Sequence, residues 1–84
     1  MLFFVTGHFP QPEKLAPLRD EEISTLHALH EKGFVLNSYI KIDHSEVILI
    51  VETDSLETAK ETLGKLPFAK AGLVILTYEE VKLF

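Results

Sequence analysis

The sequence predicts an α+β fold in which a four-stranded antiparallel sheet carries two helices on one face. The first observation is an unbroken apolar segment at residues 46–52, whose length and β-branched content are typical of a strand. The second is the order of strand-like and helix-like segments, βαββαβ, which is that of a ferredoxin-like arrangement. Right-handed crossovers then place both helices on the same side of the sheet. The 84 residues are expected to form one domain, residues 1–84.

The first half of the chain supplies one strand and one helix. Residues 2–9 are rich in Phe and Val and predict the first strand, which the following prolines end. A helix is expected to begin between Pro17 and Glu21, because proline suits a first turn and acidic residues suit the positive end of the helix dipole. Gly33 predicts the end of this helix.

The middle of the chain predicts a β-hairpin. Residues 34–42 are expected to form the second strand. One face would bear Val35, Asn37, Tyr39 and Lys41, and the other Leu36, Ser38, Ile40 and Ile42. The polar residues 43–45 form a turn that leads directly into the apolar segment 46–52. The second and third strands are therefore expected to pair in antiparallel fashion.

The last third of the chain predicts a second helix and a final strand. Asp54 and Glu57 resemble a capping box, which predicts a helix that ends near Gly64. Residues 66–72 are expected to form a connector. Residues 73–78 are apolar at both alternating sets of positions and predict the last strand, with a strand-like alternation continuing beyond them.

The two inner strands of this arrangement are apolar on both of their faces. Two helices can cover only one face of the sheet, so residues 2–9 and 46–52 would expose an apolar patch on the other. Such a patch exceeds the few hundred Å² that soluble monomers usually expose. The sequence therefore predicts a homodimer in which an identical sheet packs against this face, with assembly beyond two chains left open.

Composition and charge exclude several classes of function. The net charge is −5 and there is no basic stripe, so nucleic-acid binding is not expected. The absence of cysteine excludes disulfides and thiol catalysis. The apolar segments are too short to span a bilayer, and the apolar N-terminus lacks a basic region typical of a signal peptide, so we expect no membrane association and a cytoplasmic location.

Two sequence motifs resemble a known family. The helix-ending Glu31-Lys32-Gly33 and the connector Leu66-Pro67-Phe68-Ala69-Lys70-Ala71-Gly72-Leu73, together with the βαββαβ order, resemble the dimeric α/β-barrel superfamily. Muconolactone isomerase-like proteins are the most similar members, and YCII-related proteins come second. The Arg-x-x-His element of the YCII-related proteins is missing, because Arg19 is followed by three acidic residues.

The resemblance implies a homodimer and a proton transfer on a small unsaturated lactone, without a metal or an organic cofactor. It also implies that Glu22, one of two adjacent acidic residues, serves as an acid or base. Glu22 is expected to face the sheet, since it lies one turn before the apolar stripe of the first helix.

Proton transfer requires a base near a pocket that excludes water, and several residues are candidates. The second strand carries three polar residues on one face, which we expect to line a small-molecule pocket together with His8 and Tyr78. His30 lies in the apolar stripe of the first helix, and its spacing of three from His27 suits metal binding, but no further ligand completes a site. The predicted catalytic residues are His8, Glu22 and Tyr39, and the predicted ligand-binding residues are Asn37, Lys41, Tyr78 and His30.

Two functions remain open at the level of the sequence. The first is a cofactor-independent isomerase or related proton-transfer enzyme acting on a small anionic organic molecule, which requires a pocket containing an acid–base pair. The second is a non-catalytic dimeric module that binds a small ligand or serves assembly, which requires no convergent ionisable groups.

Overall fold

A four-stranded antiparallel sheet organises the computed structural model, which describes residues 1–84. The spatial order of the strands is β2-β3-β1-β4, so β1 and β3 are the inner strands. Every neighbouring pair is antiparallel. The α+β ferredoxin-like fold predicted from the sequence is confirmed. The strands are β1 Leu2–His8, β2 Val35–Ile40, β3 Glu46–Glu52 and β4 Ile75–Val81.

Three helices cover one side of this sheet. The first begins at Arg19, inside the predicted interval, and the chain leaves it through Gly33 at a φ of 76°, a left-handed conformation that glycine adopts readily. The predicted connector contains a short third helix that was not predicted from the sequence. None of the helices combines the length and the apolar character needed to cross a bilayer. The helices are α1 Arg19–Glu31, α2 Leu56–Leu63 and α3 Pro67–Lys70, and 3₁₀ turns at Pro12–Lys14 and Ala16–Leu18 precede α1.

The hydrophobic core lies between the sheet and the helices. Alternate residues of β1 and β3 point into it, because successive side chains of a strand point to opposite faces. A second, smaller cluster, formed by Phe9, Leu15 and Phe68, lies beside it under the loop that follows β1. The main cluster contains Phe3, Val5, Val35, Leu49, Val51, Ala59, Leu63 and Leu66.

The opposite side of the sheet has no helix on it. We call this side, which bears Phe4, Ile48 and Ile50, the open face. Phe4 pairs directly with Ile50, and all three side chains are partly exposed. The inner strands are therefore apolar on both faces in the folded chain, and only one of those faces is covered.

A bulge in β2 changes which residues share a face. A strict alternation along the sequence predicts that Val35 shares a face with Asn37 and Tyr39. In the structure the register shifts between Val35 and Asn37, and Val35 is buried opposite Val51. The extra residue, Leu36, inverts the alternation, as a β-bulge does. Asn37 and Tyr39 consequently lie on the open face, opposite residues of β3 that point the same way.

Ser55, rather than the predicted Asp54, caps the N-terminus of α2. The Ser55 residue is extended, with φ −159° and ψ 157°, and its Oγ accepts a hydrogen bond from the backbone N–H of Thr58 at 3.1 Å. This N–H has no partner within the helix, so the serine oxygen satisfies it. The cap is one residue later than the predicted one because Ser55 is the last residue with a non-helical backbone before α2.

We expect Ser55→Ala to lower the free energy of unfolding by about 1 kcal/mol, the usual effect of losing such a cap. Asp54→Ala is the matched control and should change it by less than about 0.5 kcal/mol, as surface substitutions usually do. Urea unfolding of both variants measures the difference. A loss from Asp54→Ala as large as that from Ser55→Ala would contradict the assignment of the cap.

Candidate functional site

A pocket of about 400 Å³ opens between α1, the β2–β3 hairpin and the loop after β1. We call it the outer pocket. Eight of its 13 lining residues are hydrophobic, and the others include an acid, a cation and a histidine. An apolar cavity of this size with a few polar groups is typical of small-molecule sites.

Glu22 is the acidic group of the outer pocket. It lies on α1, half-buried, with its side chain on the helix face that bears Leu26. Burial raises the pKa of Glu22 above its ordinary value, because a charged carboxylate loses hydration there. The hydrogen bond from Phe68 opposes this increase, and the neighbouring charge of Glu21 adds to it.

Phe68 holds the Glu22 carboxylate in place. Its backbone N–H donates to Oε1 of Glu22 at 2.9 Å. The N–H groups of a helical first turn lack partners within the helix, so α3 offers a donor at this position. The ring of Phe68 packs edge-on against the ring of Phe9, with centroids 5.8 Å apart. The connector that resembles the family motif therefore supplies a wall of the pocket and positions its carboxylate.

Arg19 and His44 also line the outer pocket, and neither is among the site residues predicted from the sequence. Arg19 lies three residues before Glu22 on α1 and forms no salt bridge, so its charge is available to a ligand. The three-residue spacing was the signal that could have identified it.

His44 occupies the hairpin turn in a left-handed conformation, with φ 60°. Its backbone N–H donates to the Lys41 carbonyl at 2.8 Å. The turn is further fixed by Asp43, whose carboxylate accepts hydrogen bonds from Ser45; these bonds hold the pKa of Asp43 below its ordinary value. No signal in the sequence could place His44 at the pocket, since the hairpin meets α1 only in the folded chain.

The structure distributes the predicted site residues over both sides of the sheet. Glu22 lines the outer pocket, whereas His8 lies at the exposed end of β1 on the open face. Tyr39 borders the pocket from the edge strand, but its pairing with Ile48 directs its side chain to the open face, and it is 56% exposed. The structure therefore does not assemble His8, Glu22 and Tyr39 at one point.

The predicted ligand-binding residues do not form one pocket lining either. Tyr78 pairs with Val5 and so faces the helices, opposite to Asn37; the ammonium of Lys60 lies 5.9 Å from its ring centroid. Burial raises the pKa of Tyr78. The expectation that Tyr78 shares a face with the polar residues of β2 is thus corrected. Alternation along a strand shows which of its residues share a face, but it does not show which side of the sheet that face lies on.

His30 and Lys41 already have partners within the chain. Nε2 of His30 lies 2.9 Å from Oγ of Ser38, which ties α1 to β2. Nζ of Lys41 lies 2.8 Å from Oε1 of Glu46 on the exposed hairpin, and this hydrogen bond raises the pKa of Lys41. No group of three or more His, Cys, Asp or Glu side chains is arranged to hold a metal ion.

Two solved enzyme structures are similar to this chain. The 5-chloro-2-hydroxyhydroquinone dehydrochlorinase of Burkholderia phenoliruptrix AC1100, in complex with 2,5-dihydroxybenzoquinone, superposes with a TM-score of 0.76 at 24% identity, over 98% of this chain and 94% of that chain. Muconolactone isomerase superposes with a TM-score of 0.80 at 19% identity, over 100% of this chain and 91% of that chain.

No family model and no curated protein matches the sequence. The likeness to the solved structures therefore concerns the fold, since both are below 25% identical. It extends over nearly the whole length of each chain. This chain has the same ferredoxin-like fold as muconolactone isomerase and the dehydrochlorinase, which is the fold that its sequence predicts.

Proposed function

We propose that this chain is a cofactor-independent isomerase that moves a proton on a small anionic organic molecule bound in the outer pocket. The observation that carries the proposal is the position of Glu22: a half-buried carboxylate with a raised pKa, held by one hydrogen bond inside an apolar cavity. A general base is most effective when its pKa approaches the working pH, and burial moves Glu22 in that direction.

The geometry supports distinct roles for three groups. The Phe68 N–H occupies Oε1 of Glu22, and Oε2 forms no hydrogen bond within the chain, so Oε2 is the oxygen available to a substrate proton. Arg19 provides an unpaired positive charge on the same helix face for an anionic group of the substrate. None of these three roles requires a metal or an organic cofactor.

The reaction balances within the substrate and the protein. Glu22 removes a proton from a carbon next to a carbonyl or a double bond, and the electron pair of the broken C–H bond moves into the conjugated system. The carboxylic acid so formed exchanges its proton with the solvent, to which the pocket opens, and then protonates a different carbon, which shifts the double bond. Arg19 stabilises the negative charge that develops between these steps. The names of the two similar enzymes, an isomerase and a dehydrochlorinase, support a small ring compound as the substrate class.

The proposal includes a homodimer formed through the open face. Phe4, Ile48 and Ile50 form an apolar surface in the centre of the sheet that no element of this chain covers. A second copy of the sheet supplies a matching surface, because the same residues meet their equivalents in a two-fold contact.

The proposed activity is tested by incubating the protein in D₂O with a panel of small unsaturated lactones and carboxylates that includes muconolactone. Mass spectrometry measures deuterium incorporation, and calorimetry measures binding of the same compounds. Enzyme-dependent deuterium incorporation into at least one anionic member is expected. Binding without any incorporation would contradict the isomerase and favour the non-catalytic ligand-binding module.

A further inference from the structure

A second, smaller cavity lies behind Glu22. Its volume is about 100 Å³, and eleven of its twelve lining residues are hydrophobic; the remaining one is Glu22. We call it the inner chamber. It shares six lining residues with the outer pocket, so the two spaces adjoin at the carboxylate. Its deep wall is formed by Leu49 of β3, Leu63 of α2 and Leu66.

We propose that the inner chamber binds an apolar arm of the substrate, of about three or four carbon atoms, and that Gly7 sets its size. The inference deepens the proposed function, because it relies on Arg19 to hold the anionic end of the same molecule. A cavity of about 150 Å³ lined by such side chains admits benzene. A space of about two-thirds that volume therefore suits a short alkyl or alkenyl group and excludes an aromatic ring.

Gly7 lies behind the wall of the inner chamber. A Cβ atom added there would lie 2.8 Å from Cγ1 of Val47, 2.9 Å from Cγ2 of Val74 and 3.2 Å from Cδ2 of Leu76. These three side chains line the inner chamber. The lack of a side chain at Gly7 allows them to lie back against β1, and an added methyl group would push them into the cavity.

The requirement for glycine at this position is therefore steric rather than conformational. Positive φ angles occur at Gly33 and Gly72, but not at Gly7. The backbone of Gly7 belongs to β1 and can carry an alanine without strain of its own. Gly7→Ala is consequently expected to change the volume of the chamber through its contacts with Val47 and Val74, and not through an unfavourable φ angle.

The chemistry of the two cavities selects an amphiphilic ligand. The inner chamber offers one carboxylate and otherwise only apolar side chains, so a second anionic group cannot enter without a large desolvation cost. An apolar arm gains the transfer energy of each buried methylene, about 0.8 kcal/mol, which corresponds to an affinity gain of about four-fold. The anionic end remains in the outer pocket, where Arg19 lies.

Calorimetry with straight-chain carboxylates from acetate to octanoate, and with the corresponding alcohols, tests the inference on the full-length protein. For the wild type we expect affinity to rise about four-fold per methylene and then to stop rising at a limiting length. Gly7→Ala should move this limit to a shorter chain, and Val74→Ala, which enlarges the chamber, should move it to a longer one. Thr6→Val, which places a methyl group on the open face, is the control and should leave the limit unchanged.

An affinity that does not depend on chain length, or a limit shared by the wild type, Gly7→Ala and Val74→Ala, would overturn the inference. Val74→Ala keeps the test decisive if Gly7→Ala does not fold. If the alcohols bind as tightly as the carboxylates and show the same limiting chain length, the result would support binding of an apolar arm in the inner chamber. It would contradict the proposal that the substrate is anionic. If Gly7→Ala and Val74→Ala shift the limiting chain length but the protein incorporates no deuterium, the result would support the inner chamber as a binding site and contradict the isomerase activity.

Discussion

Replacing Glu22 with glutamine is expected to lower the rate of proton transfer by about 10²- to 10⁴-fold, the usual contribution of a general base. Glutamine has nearly the same volume, and its side-chain oxygen can accept the N–H of Phe68 that Oε1 accepts in the wild type. It cannot bind the substrate proton. The apolar walls and Arg19 are unchanged, so ligand affinity should be retained while the rate falls. Deuterium incorporation and calorimetry on the same compound measure the two effects.

Glu21→Gln is the matched control for this experiment. Glu21 is the adjacent residue on α1, is exposed and does not line the outer pocket, so the variant makes the same change in charge outside the cavity. Its rate should remain close to that of the wild type. Equal losses in the two variants would show that the rate depends on the net charge of the helix rather than on a base in the pocket.

Replacing Ile50 with glutamate is expected to convert the proposed homodimer into a monomer at micromolar concentration. Ile50 lies on the open face directly opposite Phe4, and both side chains are partly exposed in the single chain. A carboxylate buried without a partner in an apolar interface costs several kcal/mol. Light scattering of the wild type and the variant over a range of concentrations measures the change.

Leu56→Glu is the control for the change at Ile50. Leu56 is 38% exposed and belongs to α2, on the side of the sheet away from the open face. The same substitution there should leave the dimer intact. A wild type that is monomeric at micromolar concentration, or an Ile50→Glu variant that remains dimeric, would contradict the proposed interface. Leu49 is unsuitable for this test, because its side chain lies in the core under the helices.

The order of the elements could be predicted from the sequence because each signal is local. The apolar segment of β3, the proline-led start of α1 and Gly33 after its end depend on neighbouring residues only. Chain topology then determined which strands are central. The bulge at Leu36 was not predictable, because the alternation of side chains along the sequence looks the same with or without an extra residue in the strand. That single residue reversed the face assigned to Val35.

The candidate site was only partly predictable for a related reason. Glu22 was selected through the family resemblance, and its helical spacing predicted only that it faces the sheet. Its environment depends on Phe68, which is 46 residues away in the sequence. His8 and Tyr39 were selected as polar residues on strands. Alternation alone does not show whether their side chains lie on the helix-covered face of the sheet or on the open face. Arg19 and His44 meet Glu22 around one cavity only after the hairpin has folded beside α1.

The raised pKa of Glu22 has a defined consequence for stability. The carboxyl group binds its proton more tightly in the folded chain than in the unfolded chain, because burial disfavours the charged form. Its contribution to stability is therefore fully present below the ordinary pKa and is lost as the pH rises through the folded-state pKa. Above the folded-state pKa the charged carboxylate is a cost to the fold, which is typical of residues kept for chemistry.

The amide resonance of Phe68 reports most directly on this account, because its N–H donates to the Glu22 carboxylate. A series of ¹⁵N–¹H correlation spectra over a range of pH gives the midpoint at which this amide responds. We predict a midpoint above 4.5, the ordinary value for Glu22, and its disappearance in Glu22→Gln. A midpoint at or below 4.5, or an unchanged titration in Glu22→Gln, would contradict a buried carboxylate poised as the base of the outer pocket.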